Sequence, residues 1–190
     1  MSQEWQEVAR FGKKVVASGL TSSRFGNISL RRDGRIFITS TGSMLDELDH
    51  DDVVEVGLTG GLCPKNASSE TCVHRAIYMC TSFQAVIHTH SPYAVALSLL
   101  EEASVEPVDG EGMIFLGAMP VVLGGFGTEE LAESVSTALR SCKACIARGH
   151  GVFAGGESLN DAYTAACMAE HSSQVRYLVR AFQGPPKFRE

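Results

Sequence analysis

The chain has 190 residues, of which 44% are hydrophobic, and a formal net charge of −6 at pH 7. This length is that of one domain that buries its own core, whereas the negative charge and the lack of a basic stripe argue against nucleic acid as a partner. No apolar run approaches the ~18 residues of a membrane span, and the polar segment Met1–Arg10 lacks the pattern of a secretory signal. We therefore predict a cytoplasmic protein.

The first half of the chain is predicted to form a helix, a small antiparallel meander and a second helix. Apolar residues recur at helical spacing over 3–18, and Gly19 follows at the position of a C-cap. Short strands are predicted over Asn27–Leu30, Arg35–Thr39 and Val53–Val56, with Asp33-Gly34 as a hairpin turn between the first two. Ser68-Ser69-Glu70 precedes the apolar positions of a capped helix.

The second half of the chain alternates between strands and helices. A strand over Ala85–His90 is followed by Ser91-Pro92 and a helix to about Leu100. The remaining predicted elements are strands Met119–Leu123 and Ala144–Ala147 around a helix Glu129–Arg140, a candidate strand Gly151–Phe153 and a helix Leu159–Phe182. Because several neighbouring strands are joined too tightly to be parallel, we predict a three-layer α/β/α sandwich with a central mixed, mainly antiparallel sheet.

Proline and cysteine positions complete the organisation of the chain. Gly184-Pro185-Pro186 is predicted to end one domain over 1–183 and to release an extended tail over 184–190. Most of the cysteines lie in apolar segments and are predicted to be buried thiols: Cys63, Cys72, Cys80, Cys142, Cys145 and Cys167. Cys142 and Cys145 form a CxxC pair, but no second pair completes a zinc ribbon, and a redox role is the minor alternative.

The tripeptide His88-Thr89-His90 is the most informative motif. Residues i and i+2 of a strand point to the same face, so the two imidazoles can close on one metal ion while Thr89 faces the other way. A catalytic zinc site usually takes three protein ligands, and His150, between Gly149 and Gly151, is the best candidate for the third. Alone, the strand pair is also compatible with a half-exposed strand, and His150 with a turn.

Other polar groups allow two interpretations each. Glu70 could bind the metal or act as an acid/base, or it could only complement a helix dipole. The loops Gly26–Ser29 and Thr39–Ser43 carry hydroxyls, an amide and glycines suited to a neutral phosphate nest, or they are ordinary turns. His74 and His171 fall inside predicted helices and His50 among aspartates, where structural or solvated roles are favoured.

Taken in order, five motifs resemble the class II aldolase/adducin family: Gly26-Asn27-Ile28-Ser29, Thr41-Gly42, Ser68-Ser69-Glu70, His88-Thr89-His90 and Gly149-His150-Gly151. The resemblance implies zinc held by His88, His90 and His150, with Glu70 as a ligand in the resting site and as the acid/base during turnover. It also implies a substrate phosphate bound by Asn27, Thr41, Gly42, Ser68 and Ser69. The expected activity is cleavage of a ketose 1-phosphate, such as L-fuculose 1-phosphate, into dihydroxyacetone phosphate and a small aldehyde, by a homotetramer with sites between subunits.

The sequence departs from the family pattern in two places. The segment Val108–Glu111 lacks the tyrosine that donates a proton in the aldolase, and we hypothesise that Asp109 or Glu111 replaces it. The tail Lys187–Glu190 also lacks the tyrosine that a neighbouring subunit contributes. Three alternatives stay open on the same scaffold: a methylthioribulose-1-phosphate dehydratase, a pentulose-5-phosphate 4-epimerase and a non-catalytic adducin-like interaction domain.

Overall fold

The computed structural model describes residues 3–182, so the predicted tail over 184–190 lies outside the described residues. Five α-helices run over Glu4–Ala17 (α1), Thr71–Cys80 (α2), Pro92–Ser98 (α3), Glu129–Ala138 (α4) and Leu159–Phe182 (α5) in this range. The strands are Asn27–Arg32 (β1), Arg35–Thr39 (β2), Val53–Gly57 (β3), Ala85–Thr89 (β4), Ser104–Val105 (β5), Met119–Val122 (β6), Ala144–Ala147 (β7) and Gly151–Gly156 (β8). No helix in this range is both long enough and apolar enough to cross a bilayer.

The eight strands form one sheet in the order β3-β2-β1-β4-β8-β7-β6-β5. Among the described strands, only β6 and β7 pair in parallel, because α4 lies between them in the chain and forms the crossover. Asp33 and Gly34 both take positive φ in the tight β1–β2 turn, as the two-residue hairpin requires. The predicted mixed, mainly antiparallel sheet is confirmed.

Alternating residues along the central strands supply two separate cores, one on each face of the sheet. On one face Ile28 and Ile87 pack with α1, α3 and α5, where alanines of α5 allow close approach. On the other face Val86 and Phe153 pack with α2 and α4. Helices therefore cover both faces of the sheet, which confirms the three-layer α/β/α sandwich.

Four elements differ from the sequence prediction in ways that have a physical reason. β8 is longer than the candidate strand, and it runs through Gly155-Gly156, which carry no β propensity. The two-residue strand β5 and the π-helical turn Gly112–Leu116 were not predicted, because both are too short to show a hydrophobic period. β4 ends at Thr89, so His90 begins the connection to α3.

Candidate active site

The candidate site lies at one end of the central strands, where the ends of the three neighbouring strands β1, β4 and β8 meet. β4 runs antiparallel to both β1 and β8, so the last residues of β4 lie beside the first residues of its two neighbours. Asn27 at the start of β1 is opposite His88, and Gly151 at the start of β8 follows His150. Antiparallel pairing thus brings together motifs that are more than 100 residues apart in the chain.

The three predicted histidine ligands converge. One nitrogen each from His88, His90 and His150 lies within 4.8 Å of the others. The Nε2 atoms of His88 and His150 are 3.1 Å apart, and the His90 ring centre is 4.9 Å from that of His150. No other cluster of this kind occurs among residues 3–182.

Hydrogen bonding and burial prepare these imidazoles as neutral ligands. His88 Nδ1 lies 3.0 Å from the carbonyl oxygen of Val152 and can donate its proton to it, which leaves the Nε2 lone pair facing the cluster. Burial, and then the neighbouring histidines His150 and His90, hold the pKa of His88 well below its usual value. Burial first and His90 second lower the pKa of His150 to about 4. Burial also lowers the pKa of His90, so the neutral form of all three imidazoles is favoured at neutral pH.

Each imidazole packs against a phenyl ring. Phe153, in the core, stacks on His88 with ring centres 4.0 Å apart. Phe25 stacks on His90 at 5.5 Å, and Phe126 tilts over His150 at 4.1 Å. Phe25 and Phe126 keep 57% and 71% of their surface exposed, so they form apolar walls on two sides of the histidine cluster.

Two glycines allow the close approach of backbone to His88. A Cβ on Gly151 would overlap the carbonyl oxygen of Thr89 and come within 2.9 Å of the His88 ring. A Cβ on Gly26, whose φ is +85°, would overlap the carbonyl oxygen of His88. The glycines in the GN and GHG motifs therefore have a packing reason as well as a conformational one.

Glu70 lies immediately before α2 and lines the same cleft. Its Oε1 accepts a hydrogen bond from the N–H of Gly127 at 2.9 Å, whereas Oε2 is buried and has no partner among the described residues. Desolvation by burial raises the pKa of Glu70, and the Gly127 hydrogen bond lowers it in part. Because Gly127 holds the carboxylate, Glu70 stands beside the histidine cluster and is not a member of it. Its predicted role as a metal ligand stays a prediction.

A cleft of about 310 Å³ opens beside the histidines. All of the residues predicted to bind phosphate line it, namely Asn27, Thr41, Gly42, Ser68 and Ser69. Backbone and side-chain hydrogen bonds join their loops, since Thr41 donates from its N–H to Asn66 and from its hydroxyl to Ala67. The Ser68 hydroxyl accepts the N–H of Glu70. It does not cap α2, because that helix begins only at Thr71.

Sequence reasoning missed three residues that line this cleft: Arg24, Phe25 and Phe126. Arg24 is the one cationic side chain in the lining, and it makes no ion pair or hydrogen bond within the described part of the chain. Phe25 and Phe126 lie next to glycines in loops. Exposed aromatic residues are unusual in such surface turns. That feature is the one signal that could have drawn attention to them.

Asp109 and Glu111 do not line the cleft of their own chain. The Oδ1 atom of Asp109 accepts the N–H of Gly112 and so holds the turn that begins the π-helical segment, and Glu111 is exposed. Within one chain, the structure does not bring either acid to the histidines. The hypothesis that one of them replaces a tyrosine stays a prediction.

The donor set suits a tetrahedral divalent metal such as zinc. Two nitrogens bound to zinc at about 2.0–2.1 Å with a tetrahedral angle are roughly 3.3 Å apart, close to the separation of the His88 and His150 nitrogens. Three polar atoms in the cleft lack a partner among the described residues, Asn27 Oδ1, Glu70 Oε2 and His150 Nδ1. The fold and the site together define an α/β protein with a candidate metal centre beside a cleft lined by hydroxyl, amide and backbone groups.

Comparison with known proteins identifies the family of this chain. Residues 6–177 match the family described as Class II Aldolase and Adducin N-terminal domain. The chain is 35% identical over 174 residues to the L-fuculose phosphate aldolase of Methanococcus vannielii, with 90% of each chain covered. It is 30% identical over 194 residues to the 5-deoxy-D-ribulose 1-phosphate aldolase of Bacillus thuringiensis serovar kurstaki, covering 98% of this chain and 90% of the relative.

A solved structure extends the similarity to three dimensions. The crystal structure of L-fuculose-1-phosphate aldolase from Thermus thermophilus matches with a TM-score of 0.91 and 36% identity, over 100% of both chains. The chain therefore belongs to the class II aldolase and adducin family, and its relatives indicate an aldehyde-lyase enzyme. Class II aldolases depend on a metal ion, and the histidine cluster could hold one.

Proposed function

We propose that this chain is a zinc-dependent aldolase that cleaves a ketose 1-phosphate, such as L-fuculose 1-phosphate, to dihydroxyacetone phosphate and a small aldehyde. The observation that carries the proposal is the convergence of three neutral imidazoles on a cleft that also contains Glu70. The proposal includes a cytoplasmic location, as the sequence pattern predicts, and a homotetramer, as the family resemblance implies.

His88, His90 and His150 would hold the zinc ion, and Glu70 would be the fourth ligand while no substrate is bound. Three imidazoles are a common donor set for a catalytic zinc ion that keeps one position open. When bound, the ion acts as a Lewis acid that stabilises the negative charge developing on the dihydroxyacetone phosphate part. The unpartnered Oε2 of Glu70 supports this role, since it is a buried acceptor that no described group satisfies.

The hydroxyl-lined side of the cleft would bind the phosphate through Asn27, Thr41, Gly42, Ser68 and Ser69. These residues offer hydroxyl, amide and backbone donors, and the N-terminus of α2 directs its partial positive charge toward the same region. Arg24 adds a full positive charge to the lining of this cleft. Binding energy from the phosphate can then orient the bond that reacts.

Glu70 would move the proton that cleavage requires. When the C3–C4 bond of the ketose breaks, the C4 hydroxyl loses its proton and becomes the aldehyde carbonyl, while C3 gains a proton. A carboxyl group whose pKa is raised by burial binds a proton more readily than an exposed carboxylate does, which suits a group that accepts and returns a proton. The Gly127 N–H gives the carboxylate a fixed position from which to act.

Phe25 and Phe126 would bound the side of the site from which the aldehyde leaves. Their exposed rings provide apolar contact area beside the histidines, which suits an aldehyde with an alkyl end. The Bacillus thuringiensis relative is named for a 5-deoxy sugar phosphate, which is consistent with such a preference.

An aldol-cleavage assay tests the proposal. Purified protein is incubated with a panel of ketose 1-phosphates, with and without a chelator, and released dihydroxyacetone phosphate is measured. We expect release that the chelator abolishes and that added zinc restores. The absence of dihydroxyacetone phosphate for every sugar would refute the aldolase. Loss of water from a substrate would indicate the dehydratase, and inversion at C4 of a pentulose 5-phosphate would indicate the epimerase.

A further inference from the structure

The helix that follows the HxH motif is capped by a carboxylate from a distant helix. Glu170 of α5 accepts the N–H of Tyr93 with Oε1 and the N–H of Ala94 with Oε2, both at 3.0 Å. These N–H groups belong to the first turn of α3, where no carbonyl inside the helix can accept them. Burial raises the pKa of the Glu170 carboxyl, and the two N–H groups lower it in part.

α3 has no local substitute for this cap. Ser91 occupies the N-cap position, but its side chain makes no cap hydrogen bond and instead bonds the carbonyl oxygen of Leu20 and the Thr89 hydroxyl. The helix has only seven residues, a length at which propensity alone does not hold a helix together. Its start therefore depends on α5, which Tyr177 also joins to Tyr93 through an edge-to-face ring contact.

His90 lies in the short connection between two fixed points. Thr89 is the last residue of β4 and pairs with Val152, and α3 begins at Pro92, so only His90 and Ser91 join the strand to the helix. The strand ladder fixes one end of this connection and Glu170 fixes the other. A shift of the first turn of α3 would be transmitted over three residues to the His90 ring.

We propose that Glu170 is a positioning residue that sets His90 for metal binding by anchoring the first turn of α3. This inference rests on the proposed metal centre and adds to it a residue on the opposite side of the sheet from Glu70. Phe25 holds the His90 ring at its exposed side, and Glu170 holds the backbone that carries the ring. Groups that orient a metal ligand typically change metal affinity about 10–100-fold when they are removed.

The test measures zinc affinity and the spectrum of the cobalt-substituted protein, neither of which requires turnover. Zinc is titrated into the zinc-free chain against a chromophoric chelator, and the visible absorption of bound Co²⁺ reports the coordination geometry. We expect Glu170→Ala to raise the zinc Kd about tenfold and to change the Co²⁺ bands. Glu170→Gln, which keeps one acceptor oxygen and the side-chain shape, should show a smaller change in the same direction.

Asp49→Ala is the matched control, because Asp49 also accepts backbone N–H groups at the start of a helical turn but lies outside the cleft. It should lower thermal stability without changing the zinc Kd or the Co²⁺ spectrum. If Glu170→Ala lowers only thermal stability, like the control, the positioning role is refuted. Should Glu170→Ala fail to fold, an unchanged zinc Kd in Glu170→Gln refutes it. A wild-type chain that binds no zinc would instead refute the proposed metal centre.

Discussion

Two fully buried histidines, His88 and His74, contact the Phe153 ring. The His88 ring stacks on one side of Phe153 at 4.0 Å, and the His74 ring meets it edge-on at 6.3 Å. Both imidazoles are fully buried, and burial lowers both pKa values. By burial and protonation state alone, the two histidines cannot be told apart.

The hydrogen-bond partners of His74 and His88 distinguish the two histidines. His74 Nδ1 shares a hydrogen bond of 2.7 Å with Ser29, whose hydroxyl also bonds the Tyr78 hydroxyl at 2.7 Å, and this network ends in the core. The nitrogen of His88 that is not bonded to backbone faces His150 and an open cleft. A candidate metal centre is thus identified by nitrogen lone pairs that converge on accessible space, rather than by burial.

Cavity size gives no better guide than burial. A larger cleft of about 560 Å³ lies along α5 near its N-terminus, with Phe83, Phe115 and Met168 in its lining. It contains Lys143 and two acids, but Lys143 Nζ contacts the carbonyl oxygen of Phe115, and no group of potential metal ligands converges there among the described residues. The smaller cleft is the one with the chemistry that the family requires.

Removing a converging histidine should have the largest effect. We expect His150→Ala to lose zinc binding and to lower kcat/KM at least about 10³-fold, because a catalytic metal contributes several kcal/mol. The zinc-free protein should lose little stability, since the one hydrogen-bond partner of the His150 ring among the described residues is the neighbouring histidine His88. His74→Ala should do the reverse, with zinc affinity kept and the free energy of unfolding lowered by about 2–4 kcal/mol. Zinc titration and urea unfolding of both variants check the contrast; equal zinc loss in both would contradict it.

Glu70→Gln should have the next largest effect. The amide keeps an oxygen for the Gly127 N–H but cannot exchange a proton, so kcat should fall by about 10²–10⁴. The three imidazoles remain, and the variant should still bind zinc. Steady-state cleavage rates and zinc content measure the two quantities. Glu129→Gln, a neighbouring first-turn acid of α4 outside the cleft lining, is the control and should leave kcat unchanged.

Arg24→Gln should raise KM for a ketose 1-phosphate about tenfold, because one charge-assisted contact to the phosphate is lost. kcat should change little, as the phosphate lies away from the reacting bond. Arg35→Gln removes the same charge at the far end of β2, where Arg35 pairs with Glu55, and should leave KM unchanged. The effect should shrink as salt is added. Equal KM values for the two variants would exclude Arg24 from phosphate binding.

Local patterns were sufficient to predict the mixed, mainly antiparallel sheet and the three histidines that converge. The i, i+2 spacing of His88 and His90 fixed their common face, and the glycines beside His150 signalled a close turn. The family motif then supplied Glu70 and the hydroxyl loops. These features depend on short segments whose geometry follows from a few residues.

Contacts between distant segments could not be predicted in the same way. Glu170 has an ordinary helical pattern around it, and only the packing of α5 against α3 brings its carboxylate to Tyr93. The Gly127 N–H reaches Glu70 from a loop 57 residues away. Arg24 and Phe25 lie beside the histidines because β1, which follows them in the chain, pairs with β4. Such contacts are properties of tertiary packing, to which a single sequence gives no direct guide.

Protonation of the His74 network should lower the free energy of unfolding only in acid. Burial lowers the pKa of His74 to about 3, against 6.5 for an unhindered histidine. The unfolded chain therefore binds one more proton than the folded chain between these values, so the free energy of unfolding must fall as pH falls. The loss approaches about 1.4 kcal/mol per pH unit, and roughly 5 kcal/mol in total over the interval between the two pKa values. Above pH 6.5 the contribution of His74 is complete.

Urea unfolding of the zinc-free chain between pH 7.5 and pH 4 measures this loss. His88 and His150 have lowered pKa values as well and add to the wild-type slope. His74→Gln keeps a polar partner for Ser29 but cannot take the proton. The change of its free energy of unfolding with pH should therefore be smaller, by an amount that corresponds to the uptake of up to one proton. If His74→Gln keeps the full wild-type slope, the buried network does not resist protonation, and the contrast with the metal cluster must rest on geometry alone.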